Sequence, residues 1–217
     1  MPAIFTYTIL PRPHLTVVAR SPEAIKAYQS LVGALLYAAI NTRPEVAYAV
    51  GMLCRAMAKP TPELHAAAKR VLGYLYRTRE IGLRYQANDK PLFGMTDSDW
   101  AVKHSTSGFV FIYNSAAITW GSKEQTSVAL SSFEAELMAA SLAATEAVHL
   151  KTFLDELNVD GDEPISVACY NTAARDTAYN PEHLRSIIKR SSTSSDVIFT
   201  CASALRIIRS PSRTSTQ

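Results

Sequence analysis

The sequence predicts an α/β protein, a mixed sheet with helices packed on it, preceded by a small helical region. Three observations carry that prediction. Three amphipathic helix patterns follow one another between residues 23 and 88. Short β-rich runs then alternate with turn residues between Leu92 and Trp120. One long helix pattern comes next, from about Ser131 to Leu157, before a further strand pattern at Ile165–Cys169.

Residues 1–22 read as an irregular lead-in, because Pro2, Pro11, Pro13 and Pro22 interrupt any long element. In the first helix pattern Ile25, Tyr28, Leu31, Val32, Leu35, Leu36 and Ala39 recur at three and four. Asn41-Thr42-Arg43-Pro44 ends it, and Pro44 suits the first turn of the next helix. The second stripe is Val46, Ala49, Val50, Leu53 and Met57, broken by Lys59-Pro60. Thr61-Pro62-Glu63 then gives a cap, a proline at the first helical position and an acid in the first turn. The third stripe is Leu64, Ala67, Ala68, Val71, Leu72 and Leu75, with Lys69, Arg70, Arg77 and Arg79 on its basic flank. Each helix has one apolar side and must pack on something to be stable. Gly82–Gln86 reads as a short strand, closed by Asn88-Asp89-Lys90-Pro91.

Residues 89–183 form the second expected domain. Leu92–Thr96 is extended, and Asp97, Ser98, Asp99 and Trp100 stand at its C-terminal edge. Gly108–Tyr113 is the strongest strand pattern in the chain, rich in aromatic and β-branched residues. Asn114-Ser115 turns it, and Ala116–Trp120 returns as its partner, so these three runs predict an antiparallel meander. Gly121–Ser127 is polar and reads as irregular. Ser131 or Ser132 caps the long helix, on which Glu136, Ala139, Ala140, Ala143 and Ala147 share one face. Small residues let a helix lie close to a sheet, with Glu136 at the top of the stripe and Glu134 facing out. Ile165–Cys169 reads as a central strand. Beyond Asn180-Pro181 the patterning decays, and residues 184–217, rich in Ser and Thr, read as a disordered tail.

Bulk properties narrow the function classes. A chain of 217 residues with 47% hydrophobic content has material for one sizeable core or two small ones. No apolar run reaches the roughly 18 residues of a membrane span, and the N-terminus lacks the basic start and apolar run of a secretory signal. The expected location is therefore intracellular, in cytoplasm or nucleus. A net charge of +3 neither demands nor excludes a nucleic-acid partner. Cys54, Cys169 and Cys201 are odd in number and widely spaced, and the histidines form no ligand spacing with them. That composition points to plain thiols rather than disulfides or zinc.

The order of elements brings a strand-end Asp and a helix-borne Glu over one sheet. A nuclease that works through two magnesium ions roughly 4 Å apart needs carboxylates so placed. Magnesium prefers oxygen ligands and retains several waters, so few protein ligands suffice. Spacing alone leaves Asp97 open to being an acid in a polar turn, and Glu136 open to being an acid on a helix.

A resemblance adds to this. Tyr28-Gln29-Ser30-Leu31-Val32-Gly33-Ala34-Leu35-Leu36-Tyr37, Thr42–Val50 (TRPEVAYAV) and His65–Leu72 (HAAAKRVL) occur in that order. Thr96-Asp97-Ser98-Asp99-Trp100-Ala101, Ser105–Phe111 (STSGFVF) and Val128–Glu136 (VALSSFEAE) follow. From Tyr28 to Pro181 the chain resembles the C-terminal part of a Ty1/copia-type retrotransposon polyprotein. That part is the end of the reverse transcriptase, here the connection-like region 23–88, and its ribonuclease H domain. The resemblance implies a ribonuclease H-like fold that cleaves RNA in RNA–DNA hybrids, using Mg2+ or Mn2+ and no small-molecule cofactor.

It also implies roles for single residues. Asp97 matches the catalytic strand-one aspartate and Glu136 the helix glutamate, both metal ligands. Asp99 matches too, as a supporting group. The third family acid lies in a Cys-Asp-Asn pattern, which here is Cys169-Tyr170-Asn171, so Tyr170 is a degenerated position. The fourth belongs to a Lys-His-Ile-Asp pattern. Asn180-Pro181-Glu182-His183 keeps its approach, but no matching acid follows Lys189-Arg190. Two of four ligands are missing, so the resemblance implies a truncated, catalytically impaired copy. The alternative is a non-catalytic hybrid-binding or interaction module. In that case Lys69, Arg70, Lys103, His104 and Lys123 would supply phosphate contacts. No membrane partner is expected.

Overall fold

In the computed structural model the described residues are 21–101, 103–158, 165–169 and 171. They divide into two compact units, with the boundary between Arg84 and Tyr85. No helix among them is long and apolar enough to cross a membrane.

The first unit is helical: α1 (Pro22–Asn41), a 3-10 turn (Pro44–Val46), α2 (Ala47–Cys54) and α3 (Pro62–Arg77). Helix α1 starts inside the expected lead-in, because Ser21 and Pro22 are a cap and first helical residue rather than a break. The Ser21 hydroxyl accepts from the Ala24 N–H at 3.2 Å. Thr61 caps α3 in the same way, accepting from the Leu64 N–H at 3.3 Å. The core is Tyr28, Val32, Leu35 and Ala39 of α1, Val50 and Leu53 of α2, and Leu64, Ala67, Ala68 and Val71 of α3. Inside it the Tyr28 hydroxyl donates to the Leu53 carbonyl at 2.8 Å. Burial, and then the neighbouring Cys54, push that phenol up to about 12. Arg43 is buried in the turn after α1, where its guanidinium donates to Glu45, to the Thr78 carbonyl and to the Thr78 hydroxyl. It also sits over the Tyr74 ring. This fastens the α1–α2 turn to the end of α3.

The strand expected over Gly82–Gln86 does not form. Only isolated bonds hold this stretch: Gln86 N–H donates to the Asn114 carbonyl, and the Tyr85 hydroxyl to the Ala117 carbonyl. A strand needs a ladder, and these bonds make anchors instead.

The second unit contains β1 (Phe93–Asp99), β2 (Thr106–Tyr113), β3 (Ala116–Glu124), α4 (Ser132–Leu157) and β4 (Ser166–Cys169). Its four-stranded sheet has the order β3-β2-β1-β4. The β1–β2 and β2–β3 pairs are antiparallel, while β4 runs parallel to β1. This is the expected mixed sheet with its meander. The fourth strand was expected to be central. Among the described residues it borders β1 alone and so stands at one end of the order. The β2–β3 turn puts both Asn114 (φ 49) and Ser115 (φ 71) in the left-handed region, as a two-residue hairpin requires.

Strand β3 runs past Trp120 into the polar stretch expected to be irregular. Ser122, Lys123 and Glu124 pair with Gly108, Ser107 and Thr106. Helix α4 lays Ala139, Ala140, Ala143, Ala144 and Ala147 into the interior, where Ala147 and Leu154 meet Phe111, Leu92 and Ile165. Gly94 lies opposite Phe111, and a Cβ there would stand 2.5 Å from the ring. Two bonds start α4: the Ser131 hydroxyl accepts from the Glu134 N–H, and the Glu134 carboxylate accepts from the Leu130 N–H. Glu134, expected simply to face out, is thus part of the cap.

Candidate active site

The site is built where the C-terminal end of β1 meets the second turn of α4. Strand pairing fixes Asp97 opposite Gly108, Ser98 opposite Ser107 and Asp99 opposite Thr106. Asp97 and Asp99 therefore belong to the strand itself, which runs further than the expected Leu92–Thr96. The parallel pairing with β4 reaches Thr96 and Cys169. From the helix, the small-residue face presses α4 onto the sheet and carries Glu136 to the level of Asp97 and Ser98.

Glu136 is the perturbed group of the site. Its carboxyl is pushed up from 4.5 to about 7, first by burial, then by the Asp97 charge beside it. The closeness of the Asp97 carboxyl acts in the same direction, and the neighbouring Ser98 opposes it. Its Oε2 is buried with no hydrogen-bond partner, as are Ser98 Oγ and Gln125 Oε1. Two carboxylates held together in a partly desolvated place cannot both ionise cheaply, so one keeps its proton near neutrality. A hard divalent cation would replace that proton and give the orphan oxygen a partner. The donor set fits an ion held by Asp97, Glu136 and water. It does not amount to a full protein cage, since no three His, Cys, Asp or Glu side chains gather for a metal among the described residues.

The other predicted site residues fall in two places. Lys103, His104 and Lys123 are exposed at the same end of the sheet as Asp97. Lys123 pairs with Ser107, and His104 Nδ1 lies 3.0 Å from the Gln125 carbonyl. Lys69 and Arg70 are exposed on α3, in the other unit. Tyr170, the expected degenerated position, lies outside the described residues, as do residues 172–217 with the expected tail.

Two residues given no role from sequence belong to the site. Ser98 faces Glu136. Gln125 is buried and bonded on both sides: its Nε2 donates to Ser107 Oγ at 2.9 Å and to the Ala135 carbonyl at 2.8 Å. A glutamine just past a strand, in a polar run, has no periodicity to mark it.

No family model matches the chain. The retrovirus-related Pol polyprotein from transposon TNT 1-94 of Nicotiana tabacum is 38% identical over 169 residues, covering 76% of this chain and 13% of that protein. The secreted RxLR effector protein 161 of Plasmopara viticola is 45% identical over 128 residues, covering 57% of this chain and 90% of that protein. A solved structure, the foamy viral protease-reverse transcriptase in complex with RNA/DNA hybrid, aligns over 90% of this chain and 24% of its own, with a TM-score of 0.49 and 16% identity. The chain thus spans about an eighth of the tobacco polyprotein. On that 38% identity over 76% of its length, the chain belongs to the retrovirus-related Pol polyproteins of copia-type transposons.

Proposed function

We propose that the second unit is a ribonuclease H-type domain that cleaves the RNA strand of RNA–DNA hybrids, with activity reduced from that of a full-ligand enzyme. The observation that carries this reading is the Asp97–Glu136 pair, pressed together at a strand end with a buried carboxylate oxygen left over. Asp97 and Glu136 would hold Mg2+ or Mn2+, which supplies the charge that activates a water and stabilises the leaving oxygen. Glu136 must give up its proton on binding the ion, so affinity falls as pH drops below about 7. Ser98 stands beside this carboxyl and favours its ionised form. Lys103, His104 and Lys123 stand near that end of the sheet to take backbone phosphates. On the other unit, Lys69 and Arg70 are the proposed phosphate contacts. The reduction follows from the tyrosine at position 170, where the resemblance expects a third carboxylate. A neutral phenol is a poor magnesium ligand.

The test is cleavage of a labelled RNA–DNA hybrid by purified protein, in magnesium and then manganese. Asp97→Ala and Glu136→Ala are run beside it. Slow cleavage that disappears in both variants is expected. Cleavage that persists in both would refute the site.

A second reading, a non-catalytic hybrid-binding or interaction module, is favoured by the two-carboxylate donor set. It is favoured also by a relative, named as a secreted effector, most of whose length is the stretch shared with this chain. No cleavage by folded protein, together with hybrid binding that weakens steeply with salt, would select it.

A further inference from the structure

A chain of contacts leads from β1 and β2 to the root of Glu136. Ser98 and Ser107 face each other across the β1–β2 pairing. Gln125 Nε2 donates to Ser107 Oγ at 2.9 Å and to the Ala135 carbonyl at 2.8 Å. Ala135 precedes Glu136 in α4, and Ser98 is a neighbour of the Glu136 carboxyl. The contacts therefore run from strand to strand and, through one glutamine, to the helix.

Gln125 is well fixed for such a task. It is 7% exposed. Its backbone N–H donates to the Ser105 carbonyl at 2.8 Å, and its own carbonyl meets His104 Nδ1 at 3.0 Å. Because a carbonyl only accepts, the Ala135 bond also settles which end of the side-chain amide is nitrogen. A bond to a helix carbonyl is unusual here for another reason: α4 begins at Ser132, so the Ala135 carbonyl belongs to its first turn. That turn is the part of the helix whose placement decides where Glu136 points.

We infer that Gln125 is a positioning residue, which clamps the first turn of α4 to β2 and so holds the Glu136 carboxylate against Asp97 and Ser98. The inference rests on the site reading given above and adds to it a residue that touches neither substrate nor metal. Residues that orient a metal ligand from behind typically change metal affinity by about 10- to 100-fold when lost.

The experiment uses the full chain in wild-type form and as Gln125→Met and Gln125→Glu. Methionine keeps the volume and loses both bonds. Glutamate keeps the shape, but when ionised it cannot donate to the Ala135 carbonyl. Two readouts are taken at neutral pH on protein whose tryptophan fluorescence shows it folded. The first is the set of NOEs between the Glu136 side chain and the Ser98 β protons, with no metal present. The second is Mn2+ affinity by water-proton relaxation.

Loss of the Glu136–Ser98 NOEs in a folded variant, with Mn2+ affinity down about 10-fold, is expected. NOEs that survive in both variants would overturn the inference. Unfolding of both variants would overturn it too, by making Gln125 a core residue with no separate task. If the wild type binds no Mn2+, the metal-site reading fails. The NOEs still decide whether Gln125 positions Glu136.

Discussion

Replacing Glu136 by Gln should make the second unit more stable at alkaline pH, and should flatten its stability across the acid range. The sign follows from the direction of the shift. Glu136 titrates near 7 in the folded chain and near 4.5 when unfolded. Between those values the folded state holds a proton that the unfolded state has released. The stability this group contributes is therefore full below about 4.5, falls as pH rises, and is gone above about 7. One pH unit is worth about 1.36 kcal/mol, so the limiting loss is roughly 3 kcal/mol. The carboxyl is only partly buried, and solvent screening brings the expected loss to about 1–2 kcal/mol. Glutamine is neutral throughout and avoids it. Both tryptophans, Trp100 and Trp120, lie in the second unit, so urea unfolding followed by tryptophan fluorescence reports that unit and not the helical one. The wild-type midpoint should drop relative to Glu136→Gln between pH 4.5 and pH 7.5, and added Mg2+ should recover part of the difference. Midpoints that run parallel across this window, or a Glu136→Gln protein less stable at pH 8, would show that the carboxylate is not strained by burial and Asp97.

Three further outcomes can be checked separately. Asp97→Asn removes the neighbouring charge and should lower Glu136 toward, but not to, the ordinary carboxylate range, because burial is the larger cause; carboxyl carbon NMR titration measures it. Gly94→Ala forces a methyl group toward the fully buried Phe111 ring and should destabilise the second unit by about 1–3 kcal/mol in the same urea assay. Arg43→Ala strips three partners from a buried turn and should cost the helical unit about 2–3 kcal/mol, seen as earlier loss of helical circular dichroism.

What could be read from the sequence was whatever local pattern decides. The three-and-four spacing from Tyr28 to Ala39 marks α1, and the alanine face marks the side on which α4 lies against the sheet. The Thr61 cap and the Ser131 cap needed only their own neighbours. Features that failed to show depend on distant partners. Gly82–Gln86 has the residues of a strand but no ladder to join. Gly121–Glu124 lacks them, yet is held extended by β2. The place of β4 beside β1 is a matter of sheet order, which four residues of pattern do not encode.

The candidate site divides in the same way, and the division bears on which of its residues should tolerate change. The end of a strand pattern and the top of a helix stripe marked Asp97 and Glu136 as candidates, and the resemblance gave them their roles. That they stand over one sheet also followed from the order of elements; what could not be read is how they come together, which requires β1 to extend to Asp99 and α4 to settle on its alanines. Gln125 was invisible because its significance lies entirely in Ser107 and Ala135, on other elements. A metal site of the kind proposed, with its ligands on two elements, is only as well placed as the contact that fixes those elements to each other. Where the resemblance expects a third carboxylate the chain has Tyr170, so on the proposed reading a loss of precision at Glu136 has fewer ligands left to absorb it. Activity in manganese should then fall further on loosening the α4 clamp than it would in a relative that retains the third acid.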